Sequence, residues 1–276
     1  MSTKVTAELQ YFSPPTDGSK AYTYINADTS TGVRPQNWEA VPHDLEIENI
    51  RGREGDYTLD NAGFYFGNEK SAHTAFVDDK AIENEYYPES IELVKKITGA
   101  TRAVIFDHTI RRHRPGVVDD SPDKRQPVPR VHVDQTTASS IARVHRHLPP
   151  TEAPELLKRR FQIINLWRPI SHPALEWPLA LCDFRSIDQK NDLVPVTLRY
   201  PDRDGETFGV GFNPNHKWKY VRGMTPEEFV LIKCFDSKDD GKTAILTPHT
   251  AFQDPTTPPD APLRESIELR LLVFYD

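Results

Sequence analysis

Twenty-four prolines are spread through 276 residues, about one in twelve. Each removes a backbone donor and fixes φ, so a chain punctuated this often suits short strands joined by stiff loops and suits long helices poorly. Glycine is not raised, at 13, and no segment repeats. Residues 5–12 and 61–66 read as extended pieces. Residues 80–98 are the best helix candidate, with Ile91, Val94 and Ile97 at helical spacing and Gly99 as a stop. Residues 102–106 form a β-branched and aromatic run. Residues 114–129 are charged and hold four prolines, which predicts an exposed loop. A short strand at 131–134 follows, then a helical stretch over 137–160 interrupted at Pro149 and Pro150. Strands are expected at 161–168, 179–184, 193–200, 208–212, 229–236, 244–247 and 265–275, the third and fourth pairing across a turn at 201–205. This pattern predicts a mainly β fold with flanking helices, a double-stranded β-helix of the jelly-roll, cupin-like kind.

A chain of this length can bury a full core as one unit or two small ones. We expect a single domain over 1–276. Extended and helical elements of 1–128 would pack on a jelly-roll core of 129–276. Net charge is −7 and the pI is near 5.8. That excludes broad phosphate-backbone binding, which needs a basic face. Cys182 and Cys234 sit among apolar neighbours and read as reduced core residues. The sequence MSTKVTAELQYF has no apolar h-region, and no run of 18 apolar residues occurs. A soluble, intracellular (cytoplasmic) protein with no membrane partner is expected.

The chemistry-bearing motif is His132-Val133-Asp134. Residues i and i+2 of a strand point to one side, so this pair could grip a single metal ion. His249, from another strand, would complete three ligands on one face and leave three positions open, the arrangement of non-haem Fe(II) oxygenases. With 10 His and 23 Asp in the chain, about one His-x-Asp triplet arises by chance. The triplet alone fits a strand with a surface His and a surface Asp equally well.

The last strand adds context. Arg264, Ser266, Glu268 and Arg270 share one face, opposite Glu265, Ile267 and Leu269. A buried polar face must be paired. The far carboxylate of a keto dicarboxylic acid could dock bidentately on an Arg, with a Ser hydroxyl adding a hydrogen bond. Alternation alone fits a solvated face as well.

Longer stretches carry a resemblance. They are GFYF at 63–66, YYPE at 86–89, GATRAVIFDHTIR at 99–111, HVDQT at 132–136, NLWRPI at 165–170, PLALCD at 178–183, KWKYVRGMTPEEFVLIKCFDS at 217–237, HTAFQDP at 249–255 and RESIELRLLVF at 264–274. In these the chain resembles a fungal family of hydroxylases and desaturases that includes gibberellin desaturase and cephem methoxylase-like proteins, within the Fe(II)/2-oxoglutarate-dependent oxygenases. The resemblance implies a dioxygenase that uses Fe(II), 2-oxoglutarate and O₂ to hydroxylate or desaturate a small secondary metabolite. It implies His132, Asp134 and His249 as the catalytic iron ligands. It implies Arg264 as the 2-oxoglutarate clamp, with Ser266 beside it. Arg168 is a second anion-binding candidate, although it could equally tie down the loop after Pro169. Arg270 is a third.

Other features weigh less. His145 and His147 stand about 200° apart on a helix and read as a surface pair. His108 and Arg111 could line a substrate entrance. Trp167, Trp218, Tyr220 and Phe252 could shape a pocket, though aromatic residues in a β-core are usually core. Substrate recognition is expected in the loops of 14–60, 114–129 and 200–216. No phosphate-binding glycine loop, Gly-x-Ser-x-Gly elbow or Cys-x-x-Cys pair is present. Two other readings stay open. The same barrel could hold a non-redox metal and act as an isomerase or lyase, or it could be a non-catalytic ligand-binding relative.

Overall fold

Alternation builds the first strand. In β1 (Lys4–Ser13), Val5, Ala7, Leu9 and Tyr11 are buried and the residues between them are not. In this computed structural model, which describes residues 3–276, β1 is followed by β2 (Tyr22–Tyr24), β3 (Glu39–Asn49), β4 (Phe64–Asn68), β5 (Arg102–Arg112), β6 (His132–Val133) and β7 (Phe161–Pro169). Then come β8 (Leu179–Cys182), β9 (Leu193–Arg199), β10 (Asp204–Val210), β11 (Trp218–Tyr220), β12 (Glu228–Asp236), β13 (His249–Ala251) and β14 (Glu265–Phe274). The strands form two sheets. Nine pair in the order β1-β3-β11-β8-β13-β6-β10-β9-β2, and five in the order β4-β12-β7-β14-β5.

Apart from the β9–β10 hairpin, neighbouring strands in both sheets are separated in sequence, as in a double-stranded β-helix. The two sheets share a core that holds Phe64, Trp167, Ile232 and Leu272 from the smaller sheet and Leu179 and Leu181 from the larger. The outer face of the five-stranded sheet, with Ile267, Leu269, Leu271 and Val273, is covered by the helical segment after residue 79. Elements before residue 129 do more than pack on a barrel. β1, β2 and β3 extend the larger sheet, and β4 and β5 are the two edges of the smaller one.

The predicted helix over 80–98 is present, with a π-helical segment at Ile82–Tyr86 leading into an α-helix at Tyr87–Thr98. Gly99 closes it in the left-handed region. Three expectations need correction. Residues 39–49 form a long strand where sequence reading placed a loop, because β3 pairs with β1 along its whole length. Residues 244–247 do not form a strand. The Ala244 N–H donates to Asp60 O, and the Thr247 hydroxyl donates to Gly63 O, so this stretch is tied to a loop and not to a ladder. Residues 114–129 are a loop, but a partly buried one: Gln126 bridges its two arms, and Val128 O accepts from Ala251 N. Both cysteines are buried free thiols, and burial pushes the Cys182 thiol up to about 12.

Candidate metal centre

β6 is short, and its valines decide its orientation. Val131 and Val133 are fully buried against the outer core of the larger sheet, so His132 and Asp134 turn the other way. β13 lies beside β6 in antiparallel register, and His249 is the direct partner of His132. Two histidines 117 positions apart in the chain thus meet as a cross-strand pair, with ring centroids 4.5 Å apart. One ligand atom from each of His132, Asp134 and His249 lies within 4.8 Å of the other two.

Hydrogen bonds fix which atoms face inward. Nδ1 of His132 donates to Arg130 O at 2.7 Å, and Nδ1 of His249 donates to Thr247 O at 3.0 Å. A carbonyl only accepts, so both rings carry the proton on Nδ1 and present a bare Nε2. Oδ1 of Asp134 lies 3.3 Å from Nε2 of His132 and 3.8 Å from Nε2 of His249. Its other oxygen, Oδ2, accepts from Asn165 Nδ2 at 2.8 Å and from Arg270 Nε at 3.2 Å. Each side chain therefore has one atom held by protein and one aimed at a common point. Burial pushes the His132 pKa down, and the neighbouring His249 adds to it. Burial opposes the Asp134 charge, but the Arg270 guanidinium outweighs it and holds the carboxyl well below the usual range. Two imidazoles offering Nε2 and one carboxylate on one face fit iron(II).

The three arginine candidates separate cleanly. Arg270 is engaged on every side: with Asp134, with Asp107 at 3.0 Å, with the Thr109 hydroxyl at 2.9 Å and with Glu268. Arg168 lies on the opposite face of β7, against Tyr86 and the Phe229 ring, and donates to Glu69 O and Pro226 O. It points away from His132, Asp134 and His249, so the fold does not bring this cofactor-binding candidate to the site. Arg264 is different. Its Nη1 donates to Trp177 O at 2.6 Å and its plane covers the Trp167 ring, but its Nε is buried without an acceptor. Burial, with repulsion from Arg111, lowers its pKa to about 9. Trp177 presents its carbonyl from a strained left-handed backbone, φ 47°.

A narrow cavity joins the ligands to this guanidinium, lined by Trp167, Arg111, Glu268 and Arg264. Ser266 is buried between Arg264 and Glu268 on the same face of β14. An unpaired buried donor beside a three-ligand face fits an anionic cosubstrate. The cavity measures about 30 Å³, so a five-carbon dicarboxylate requires side chains around it to move. A second, much larger cavity of about 1050 Å³ opens on the other side of His132 and Asp134. His108, Arg111 and residues of 114–129 line it, as do Thr23, Tyr24 and Ile25 from the early loops and Tyr200 and Thr207 from the third. Of the four aromatic candidates, Trp167 lines the narrow cavity, while Trp218, Tyr220 and Phe252 are core. His145 is exposed. His147 is half-buried and stacks on Phe106. Sequence reading did not single out Asn165, although it belongs to the NLWRPI stretch.

Comparison with known proteins agrees with this geometry. A family model described as "Oxidoreductase/YMDC permease-like domain" matches residues 9–274. No described helix is long and apolar enough to cross a membrane. The hydroxylase/desaturase efuI of Hormonema carpetanum is 34% identical, covering 100% of this chain and 96% of that relative. The Fe(II)/2-oxoglutarate-dependent dioxygenase nvfI of Aspergillus novofumigatus is 33% identical, covering 95% and 94%. A solved structure of the iron and alpha-ketoglutarate-dependent endoperoxidase NvfI superposes with a TM-score of 0.85 at 30% identity, covering 99% and 98% of the two chains. Fold and site together define a non-haem Fe(II)/2-oxoglutarate-dependent dioxygenase, with Fe(II) as cofactor and 2-oxoglutarate and O₂ as cosubstrates. Within that class, the chain belongs to the fungal hydroxylase/desaturase family.

Proposed function

We propose that His132, Asp134 and His249 hold iron(II), that Arg264 binds the far carboxylate of 2-oxoglutarate with Ser266 beside it, and that the large cavity takes a small secondary metabolite. The observation that carries this reading is the convergence of the three ligand atoms within 4.8 Å, next to a buried guanidinium with a free Nε–H. Iron(II), when bound, supplies the oxidation of an unactivated C–H bond, coupled to conversion of 2-oxoglutarate and O₂ to succinate and CO₂, with hydroxylation or desaturation as the outcome.

The protein's part is orientation. Arg130 O and Thr247 O fix both imidazole tautomers. Asn165 and Arg270 hold Oδ2 of Asp134, so that Oδ1 alone turns inward. Trp167, Leu179 and Ala251 give the narrow cavity dry walls. Residues 1–276 act as one unit in this reading, since both sheets draw strands from both halves of the chain. Two buried free thiols support an intracellular, reducing location.

Substitution tests the clamp. Arg264→Ala raises the KM for 2-oxoglutarate by about tenfold or more in a succinate-release assay. Arg168→Ala leaves that KM unchanged. A rise with Arg168→Ala and none with Arg264→Ala overturns the assignment.

A further inference from the structure

The large cavity beside His132 and Asp134 is lined by nine Arg and Lys side chains and five Asp. Most of these charges are matched. Arg125 pairs with Asp119 at 2.8 Å, Lys124 with Asp120 at 3.2 Å, and Arg270 with Asp107 at 3.0 Å. Arg114 donates to Asp123 O, and Arg112 donates to Phe76 O. Arg111 donates to Gln126 O. Three guanidinium groups on the cavity wall are short of partners: Arg143, which lies over the Phe106 ring, and the pair Arg34 and Arg130. Arg130 has no hydrogen bond or ion pair from its side chain among the described residues. It lies over the Trp38 ring, 5.2 Å from the centroid. Trp38 is itself buried and anchored by its indole N–H on the Thr23 hydroxyl. Arg34 reaches Asp119 only at 3.4 Å, shares it with Arg125, and has a buried Nε with no acceptor.

The surroundings sharpen the imbalance. Arg34, Arg111 and Arg130 all line the same cavity. Asp134, an acid on that wall, has Oδ2 committed to Asn165 and Arg270 and Oδ1 turned to the two imidazoles. Cations gathered in a partly buried wall without counter-charge are costly, and an anion offsets that cost. Arg34 and Arg130 line the large cavity and not the narrow one, so 2-oxoglutarate on Arg264 does not neutralise them. Arg111 lines both cavities and is left out for that reason.

We propose that the substrate is an organic carboxylate whose carboxyl group docks on Arg130 and Arg34, so that its carbon skeleton extends towards His132 and Asp134. A guanidinium without an acid partner offers paired N–H groups, the match for a planar carboxylate. The identification of this cavity as the substrate site rests on the oxygenase reading above; the anion site itself does not.

Calorimetry with naphthalene-2-carboxylate and naphthalene-2-carboxamide tests the proposal. Both are measured on the full chain, with and without Mn(II) and saturating 2-oxoglutarate. The expected result is a carboxylate bound at least about tenfold tighter than the amide in both conditions. That preference weakens at high salt and disappears in the Arg34→Gln/Arg130→Gln pair. It survives Arg264→Ala. Equal binding of the two probes, or no binding of the carboxylate, overturns it. So does a preference lost with Arg264→Ala and kept in the pair variant, which would place the anion in the cosubstrate cavity. If the pair variant does not fold, Arg34→Gln alone must weaken the preference, and an unchanged preference there counts against the site. Heat is read and not turnover. A protein that binds the carboxylate but forms no iron–2-oxoglutarate complex therefore sinks the oxygenase reading and leaves this one standing.

Discussion

Arg168 and Arg264 offer an anion the same chemistry, and the sheet sets them on opposite sides. Alternation along β7 puts Asn165 and Trp167 towards His132, Asp134 and His249, and Arg168 behind them. That assignment was not legible in the sequence. All nine residues of β7 are buried, so no polar face marks which parity looks inward. His-x-Asp was legible, because the spacing alone forces both side chains to one side of a strand. His249 as the third ligand was legible only through resemblance, since nothing local says that β13 will lie against β6. Asn165 went unnoticed because an amide carries no charge to draw attention, yet it holds Oδ2 of Asp134. Outer-sphere partners of this kind are typically worth about 10- to 100-fold in metal affinity. Asn165→Ala should therefore weaken Mn(II) binding by roughly that factor, measured by competition with a metal chelator. An unchanged affinity would show that Arg270 alone suffices.

At the scale of elements, the approach to His249 depends on a glycine far away in sequence. Gly63 has φ +87°, and a Cβ there would lie 2.7 Å from Leu246 O and would also strike the Thr247 hydroxyl. Gly63→Ala combines a forbidden backbone angle with that clash. It should cost about 2 kcal/mol or more in urea unfolding. It should also weaken Mn(II) binding, because Thr247 O holds the His249 ring. The same close approach explains why 244–247, apolar enough to read as a strand, is not one. Composition shows that such a run is buried, not where its backbone hydrogen bonds go. The missed β3 is the opposite case. Its sequence carries Pro42 and several acids, and pairing with distant strands, a ten-residue register with β1 and a short one with β11, makes it a strand.

For the whole molecule, the expected double-stranded β-helix was legible, because its signals are global: frequent prolines, many short apolar runs and few helices. Which residues bury charge was not. Lys233 is fully buried with Asp236, which also accepts from Arg160 and Gln162. Burial opposes the Asp236 charge, but Arg160 and Lys233 outweigh it and lower its pKa below the ordinary aspartate value. A depressed carboxyl contributes stability that is fully present above its unfolded pKa, about 4, and is lost as pH falls through the folded value. Asp236→Asn leaves the buried Lys233 charge with only Asp60, at 3.2 Å, as an acid partner. It should cost about 3 kcal/mol in urea unfolding at neutral pH. The gap to wild type should shrink steadily as pH drops below about 4. A gap constant across that range would mean the charge contributes nothing.

The convergence of His132, Asp134 and His249 on one ion beside Arg264 is tested most directly by spectroscopy. Anaerobic addition of Fe(II) and 2-oxoglutarate to the intact protein should produce a weak visible charge-transfer band. His249→Ala should abolish the band, and Arg264→Ala should shift its appearance to higher 2-oxoglutarate concentration. A wild-type protein that never shows the band, or a His249→Ala variant that shows it undiminished, would contradict the account.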